Sequence, residues 1–79
     1  MKTFHVAIET LDKNVFDGFV ESVTVPGTEG EMTILAEHMP VISRLKAGTV
    51  TCVDERGTHS FPVAHGVLEV GAGAVTILV

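Results

Sequence analysis

Apolar and polar residues alternate along most of this chain with a period of two. Phe4, Val6 and Ile8 are interleaved with His5, Ala7 and Glu9, the pattern of a strand with one buried face. Asp12-Lys13-Asn14 breaks the run as a turn. Val15 to Phe19 opens the next piece, with Gly18 where a bend or bulge is expected. Val20 to Val25 alternates again and closes at Pro26-Gly27. Met32 to Leu35 and Val41 to Leu45 read as short strands on either side of a corner at Glu37 to Pro40. Thr49 to Val53 is rich in β-branched residues, and Asp54-Glu55-Arg56-Gly57 reads as a hairpin connection with Gly57 in a left-handed conformation. Its partner, Thr58 to Ala64, contains Pro62, which places that strand at an edge or a bulge because proline donates no ladder hydrogen bond. Val67 to Val70 and Ala74 to Val79 complete the series. The pattern predicts an all-β chain of about nine or ten short strands, a small flattened antiparallel β-sandwich or barrel. No segment holds the 3.6-residue period of a helix.

Size and composition narrow the function classes. The 79 residues make one domain, residues 1–79, and 46% of them are hydrophobic, too many for a disordered tail. No apolar run approaches the roughly 20 residues that a membrane-spanning helix needs. Met1-Lys2-Thr3-Phe4-His5 lacks the basic-then-apolar order of a signal peptide, so a domain on the cytoplasmic side is expected. The net charge of −5, with five scattered Lys and Arg, argues against nucleic acid, whose phosphates demand clustered cations. A single cysteine, Cys52, permits no internal disulfide and sits in an alternating run as a small buried hydrophobe.

Catalytic chemistry finds little support. Ser22, Ser43 and Ser60 lie in ordinary strand contexts, without the Gly-x-Ser-x-Gly elbow of a hydrolase. Glu29 and Glu31 are two carboxylates in one glycine-containing turn, more simply a solvated acidic loop than an acid–base pair. His59, His65 and Glu69 form a two-histidine, one-carboxylate set that a metal would require to converge. Against that set, no strand carries the His-x-His spacing that aims two imidazoles the same way, and surface or packed histidines are the simpler reading, with His5 and His59 facing solvent. No metal and no cofactor is expected. His38 precedes Met39-Pro40, where proline holds the preceding residue extended. It either pins this corner through the backbone or faces a partner, and the two roles are compatible.

One stretch is specific. Phe16, Gly18, Val20, Val23, Val25, Gly27, Glu29, Gly30 and Glu31, then Ile34, Leu35, His38, Pro40 and Val41, follow without a gap. The pattern F-x-G-x-V-x-x-V-x-V-x-G-x-E-G-E/D followed by G-I/V-L-x-x-H-x-P-L/V resembles the amino-terminal domain of the epsilon subunit of F-type ATP synthases. Leu45 to Val50, His65 to Val70 and Ala74 to Leu78 extend the resemblance over nearly the whole chain. It departs at Ala47 in place of a proline, at His65 in place of a glycine, and at Ala36-Glu37 where Pro-Gly is usual.

The resemblance implies a mechanical, non-catalytic role. A domain of this kind packs against the gamma subunit, sits on the ring of membrane c subunits and turns with both in the central stalk, coupling proton transport to ATP synthesis. It implies Glu29, Gly30 and Glu31 toward the c-ring, and His38, Met39 and Val41 toward gamma. It implies a peripheral place at the cytoplasmic face of the inner (plasma) membrane, without insertion. The family's two-helix hairpin, which inhibits ATP hydrolysis, is not among these 79 residues, so that activity is not expected of them. The rival readings are a stand-alone β-sandwich interaction module, monomeric or homo-oligomeric, and a small metal enzyme using His59 and His65.

Overall fold

A computed structural model describes residues 2–37 and 39–79. Nine strands follow one another: β1 (Phe4–Glu9), β2 (Asn14–Val20), β3 (Ser22–Gly27), β4 (Gly30–Leu35), β5 (Val41–Leu45), β6 (Gly48–Asp54), β7 (Gly57–Val63), β8 (Gly66–Gly71) and β9 (Ala74–Leu78). They form one curled sheet in the order β2-β1-β9-β8-β5-β3-β6-β7, with β4 paired to β3. The sheet folds over at the point where β5 touches β3, Leu45 opposite Gly27. This creates two layers, β2-β1-β9-β8-β5 and β4-β3-β6-β7. The pairing is antiparallel except between β1 and β9, which run parallel.

The period-two alternation predicted from the sequence decides which side chains are buried. Val6, Ile8, Val20, Val23, Val25, Ile34, Leu68 and Ile77 are 0–1% exposed and fill the space between the layers. Each such side chain contributes about 1.5–3 kcal/mol on leaving water. Among the described residues no polar side chain is buried in this core.

Two details differ from the sequence reading. Strand β2 runs straight through Gly18, which pairs with Val6, and the irregularity falls at Val15, where Ile8 faces Phe16 and Glu9 faces Asn14. The bulge lies beside the Thr10–Lys13 turn, and a Cβ at Gly18 would meet the Phe16 ring at 3.5 Å, an ordinary van der Waals contact. The chain also breaks at Glu21, between two buried valines, Val20 and Val23, where the alternation changes phase. There the chain crosses between layers, and the Glu21 N–H donates to the Val53 carbonyl at 2.7 Å.

Pro62 stands on β7, an end strand of the sheet, as its missing N–H requires. The hairpin from Asp54 to Gly57 turns with Gly57 at φ 128°.

Candidate functional site

The acidic turn is Thr28-Glu29 at the tip of the β3–β4 hairpin, flanked by the paired Gly27 and Gly30. Gly27 is required: a Cβ there would sit 2.6 Å from the Gly30 carbonyl oxygen. Gly30 takes φ 135°, a conformation closed to most side chains. The Thr28 N–H donates to the Arg44 carbonyl at 3.0 Å, and the Lys46 N–H to the Pro26 carbonyl at 2.9 Å. These two bonds tie the base of the turn to β5, so the exposed Glu29, Gly30 and Glu31 are carried on a fixed corner of the sandwich.

Beside this turn lies an open groove of about 450 Å³ between Thr28–Met32 on one wall and Val41–Arg44 on the other. Met32 and Val41 pack against the core at its base, while Ile42 remains 71% exposed. The groove marks the open side of the sandwich, where β4 of one layer lies alongside β5 of the other.

The structure thus brings Val41 into the same groove as Glu29, Gly30 and Glu31, although the resemblance assigned them to different partners. Met39 is 78% exposed on the connection to β5 and does not line this groove. His38 lies outside the described residues. Glu37, at one of the positions where the sequence departs from the resembled pattern, adopts left-handed backbone at φ 68°. Its carboxylate pairs with the Lys2 ammonium at the surface.

His59 lies instead at the seam where the sheet's end strands β2 and β7 face one another. The Phe16 ring lies 5.8 Å from that of His59 and 5.4 Å from that of Phe61. His59 Nε2 is 3.1 and 3.0 Å from the two carboxylate oxygens of Asp54. Burial pushes the Asp54 carboxyl upward, but the His59 hydrogen bond, the Arg56 N–H, the His59 charge and the Gly57 N–H outweigh it. The net result is a carboxyl held below its ordinary value. His5 makes a parallel arrangement with Asp17, at 2.6 Å, beneath Phe19. Both histidines are half-buried and paired with a carboxylate rather than facing open solvent. His65 lies exposed in the bend before β8. Among the described residues no three His, Cys, Asp or Glu side chains come together to hold a metal, and His59, His65 and Glu69 do not converge. Burial, then the Asp54 charge, pushes the Cys52 thiol up to about 11, the property of an inert core residue.

The groove itself was not visible in the sequence. Arg44, Met32 and Ile42 enter it through strand register, and their only signal was the alternation of β4 and β5.

Comparison with known proteins gives a consistent result. The family described as ATP synthase, Delta/Epsilon chain, beta-sandwich domain matches residues 3–79. The ATP synthase epsilon chains of Bordetella avium and Bordetella parapertussis are each 42% identical to this chain over 99% of its length and 56% of their own. The chain therefore spans about half the length of the curated relatives it matches. Among solved structures, a chain of the Euglena gracilis mitochondrial ATP synthase (OSCP/F1/c-ring, rotational state 1) superposes with a TM-score of 0.89 at 24% identity. The match covers 96% of this chain and 49% of that one. A chain of the Tetrahymena thermophila mitochondrial ATP synthase central stalk and c-ring gives 0.77 at 19% identity, covering 98% and 63%. At such identities these two establish the shared fold.

Proposed function

The chain belongs to the ATP synthase Delta/Epsilon chain β-sandwich domain family, and from that premise we propose that it is a non-catalytic module of the rotating central stalk. In this reading it binds a gamma-type stalk subunit and rests on the ring of membrane c subunits, coupling proton transport to ATP synthesis. It is held at the cytoplasmic face of the membrane through those partners. The relatives named ATP synthase epsilon chain support the assignment.

The observation that carries the reading is the anchored acidic turn. Glu29 and Glu31 project from a hairpin whose base is hydrogen-bonded to Arg44 of β5 and to Lys46 just beyond it. A torque-bearing contact needs a rigid support, and exposed ion pairs worth about 0–1 kcal/mol each set register rather than affinity. Glu29, Gly30 and Glu31 face the c-ring, and Met39 and Val41, with His38, face gamma. Because Val41 shares the groove of the acidic turn, the two contacts adjoin on one side of the sandwich.

The test is co-expression of the tagged chain with the gamma-type subunit of the same genome, followed by addition of purified c-ring. A one-to-one complex with gamma, and ring binding weakened by Glu31→Lys, is the expected result. A folded chain that forms a homodimer and captures neither partner would replace this reading with that of a stand-alone interaction module.

A further inference from the structure

Among the described residues the sheet is open at β2, at β7, at β4 and along most of β5, which meets β3 only at Leu45, and these edges are not equally protected. The edge at β7 carries Pro62. The edge at β2 is bulged at Val15 and closed against β7 by the Phe16 ring. Bulges and prolines are the usual devices that stop an edge from accepting another strand. Strand β4 has neither: its register with β3 runs unbroken from Ser22–Leu35 to Gly27–Gly30.

The hairpin geometry says which backbone groups this edge offers. Antiparallel pairs alternate between hydrogen-bonded and non-hydrogen-bonded, and a two-residue turn begins with a bonded pair, here Gly27 and Gly30. Val25–Met32 and Val23–Ile34 are then bonded, whereas Pro26–Glu31, Thr24–Thr33 and Ser22–Leu35 are not. The Pro26 carbonyl confirms this phase, because it is used on the far side of β3 by the Lys46 N–H. Glu31, Thr33 and Leu35 therefore direct their N–H and C=O groups away from β3. Among the described residues none of these groups has a backbone partner.

The side chains on this edge are ordered. Glu31, Thr33 and Leu35 point to the exposed face, with Leu35 57% exposed. Met32 points inward, beside the groove whose far wall holds the exposed Ile42.

We propose that β4 is a strand-addition site, and that its occupant is an extended segment of the gamma-type stalk partner. This rests on the stalk reading above. The added strand completes the ladder through Glu31, Thr33 and Leu35. It carries an apolar residue opposite Leu35, since facing side chains across a ladder lie about 4.5–5.5 Å apart. Val41, which faces gamma in the stalk reading, lines the groove that borders this edge, so the added segment is continuous with that contact. An inward apolar side chain of the segment fills the space between Met32 and Ile42. The contact is directional, as a rotating joint requires, because main-chain hydrogen bonds fix register.

Two measurements on the complex with the gamma-type subunit decide the matter. In the wild type, the amides of Glu31 and Thr33 exchange rapidly in the free chain and slow at least tenfold in the complex. Thr33→Pro removes an outward N–H without touching the β3 ladder and weakens binding at least tenfold relative to Thr33→Ala, which keeps that N–H. A complex in which the Glu31 and Thr33 amides exchange as freely as in the isolated chain overturns strand addition while leaving the partnership intact. So does a folded Thr33→Pro variant that binds like Thr33→Ala. Absence of any complex with the wild type overturns both.

Discussion

Phe16 on β2 and His59 on β7 stack across the line where the two ends of the curled sheet meet, their ring centroids 5.8 Å apart and inclined by 39°. No backbone hydrogen bond between β2 and β7 joins the two strands among the described residues, so ring packing holds this side of the sandwich shut. Removing a fully buried phenylalanine costs about 3–5 kcal/mol, and Phe16 is half-buried. Phe16→Ala is therefore expected to lower stability by about 2 kcal/mol. Urea denaturation checks this, and Phe16→Leu should recover part of the loss.

Asp54 supplies a pH dependence of definite sign. Its folded-state carboxyl is held below its ordinary value, so it contributes stability above the unfolded value of about 3.9. That contribution disappears as pH falls through the lower folded value. Asp54→Asn keeps the shape and loses the charge. Its melting temperature is expected to fall below that of the wild type at pH 7, with the gap closing as the pH drops below about 4. A gap that is constant from pH 7 to pH 3 would remove the ion pair from the account.

Glu37 is a non-glycine residue at φ 68°, a conformation costing roughly 1–2 kcal/mol for an ordinary side chain. Glycine avoids that cost but loses more entropy on folding, about 0.5–1 kcal/mol. Glu37→Gly is expected to gain up to about 1 kcal/mol despite losing the exposed pair with Lys2, and Glu37→Val to lose stability. Thermal melts of the two variants check the opposite signs.

Cys52 is fully buried and its thiol is pushed up to about 11. A thiol reagent such as Ellman's is expected to find no reactive group in the native chain and one equivalent in denaturant.

The strand count, the edge position of β7 and the left-handed Gly57 were legible in the sequence because each depends on local chemistry: alternation, a missing N–H, a positive φ. Glu21 was not legible as a break, since the change of layer between Val20 and Val23 shows only once both valines are seen to be buried. The parallel pairing of β1 with β9 joins residues about seventy positions apart, which no local pattern encodes. The acidic turn could be read as a loop, but its groove could not. Bringing Val41 beside Glu31 depends on the single contact of Leu45 with Gly27, where the sheet folds over. The His59–Asp54 pair was missed for a different reason: reading His59 as a solvent-facing residue ignored the partner that its hairpin places five residues away.

The gamma-type partner docks on the open side of the sandwich, along β4 and the groove beside it. Isotope-labelled chain titrated with the gamma-type subunit tests it most directly, by mapping which backbone amide resonances shift. The expected shifts concentrate in residues 31–35 and 41–44, with Phe16, His59 and Phe61 left in place. Shifts centred on β2 and β7 instead, with residues 31–35 unmoved, would contradict this docking.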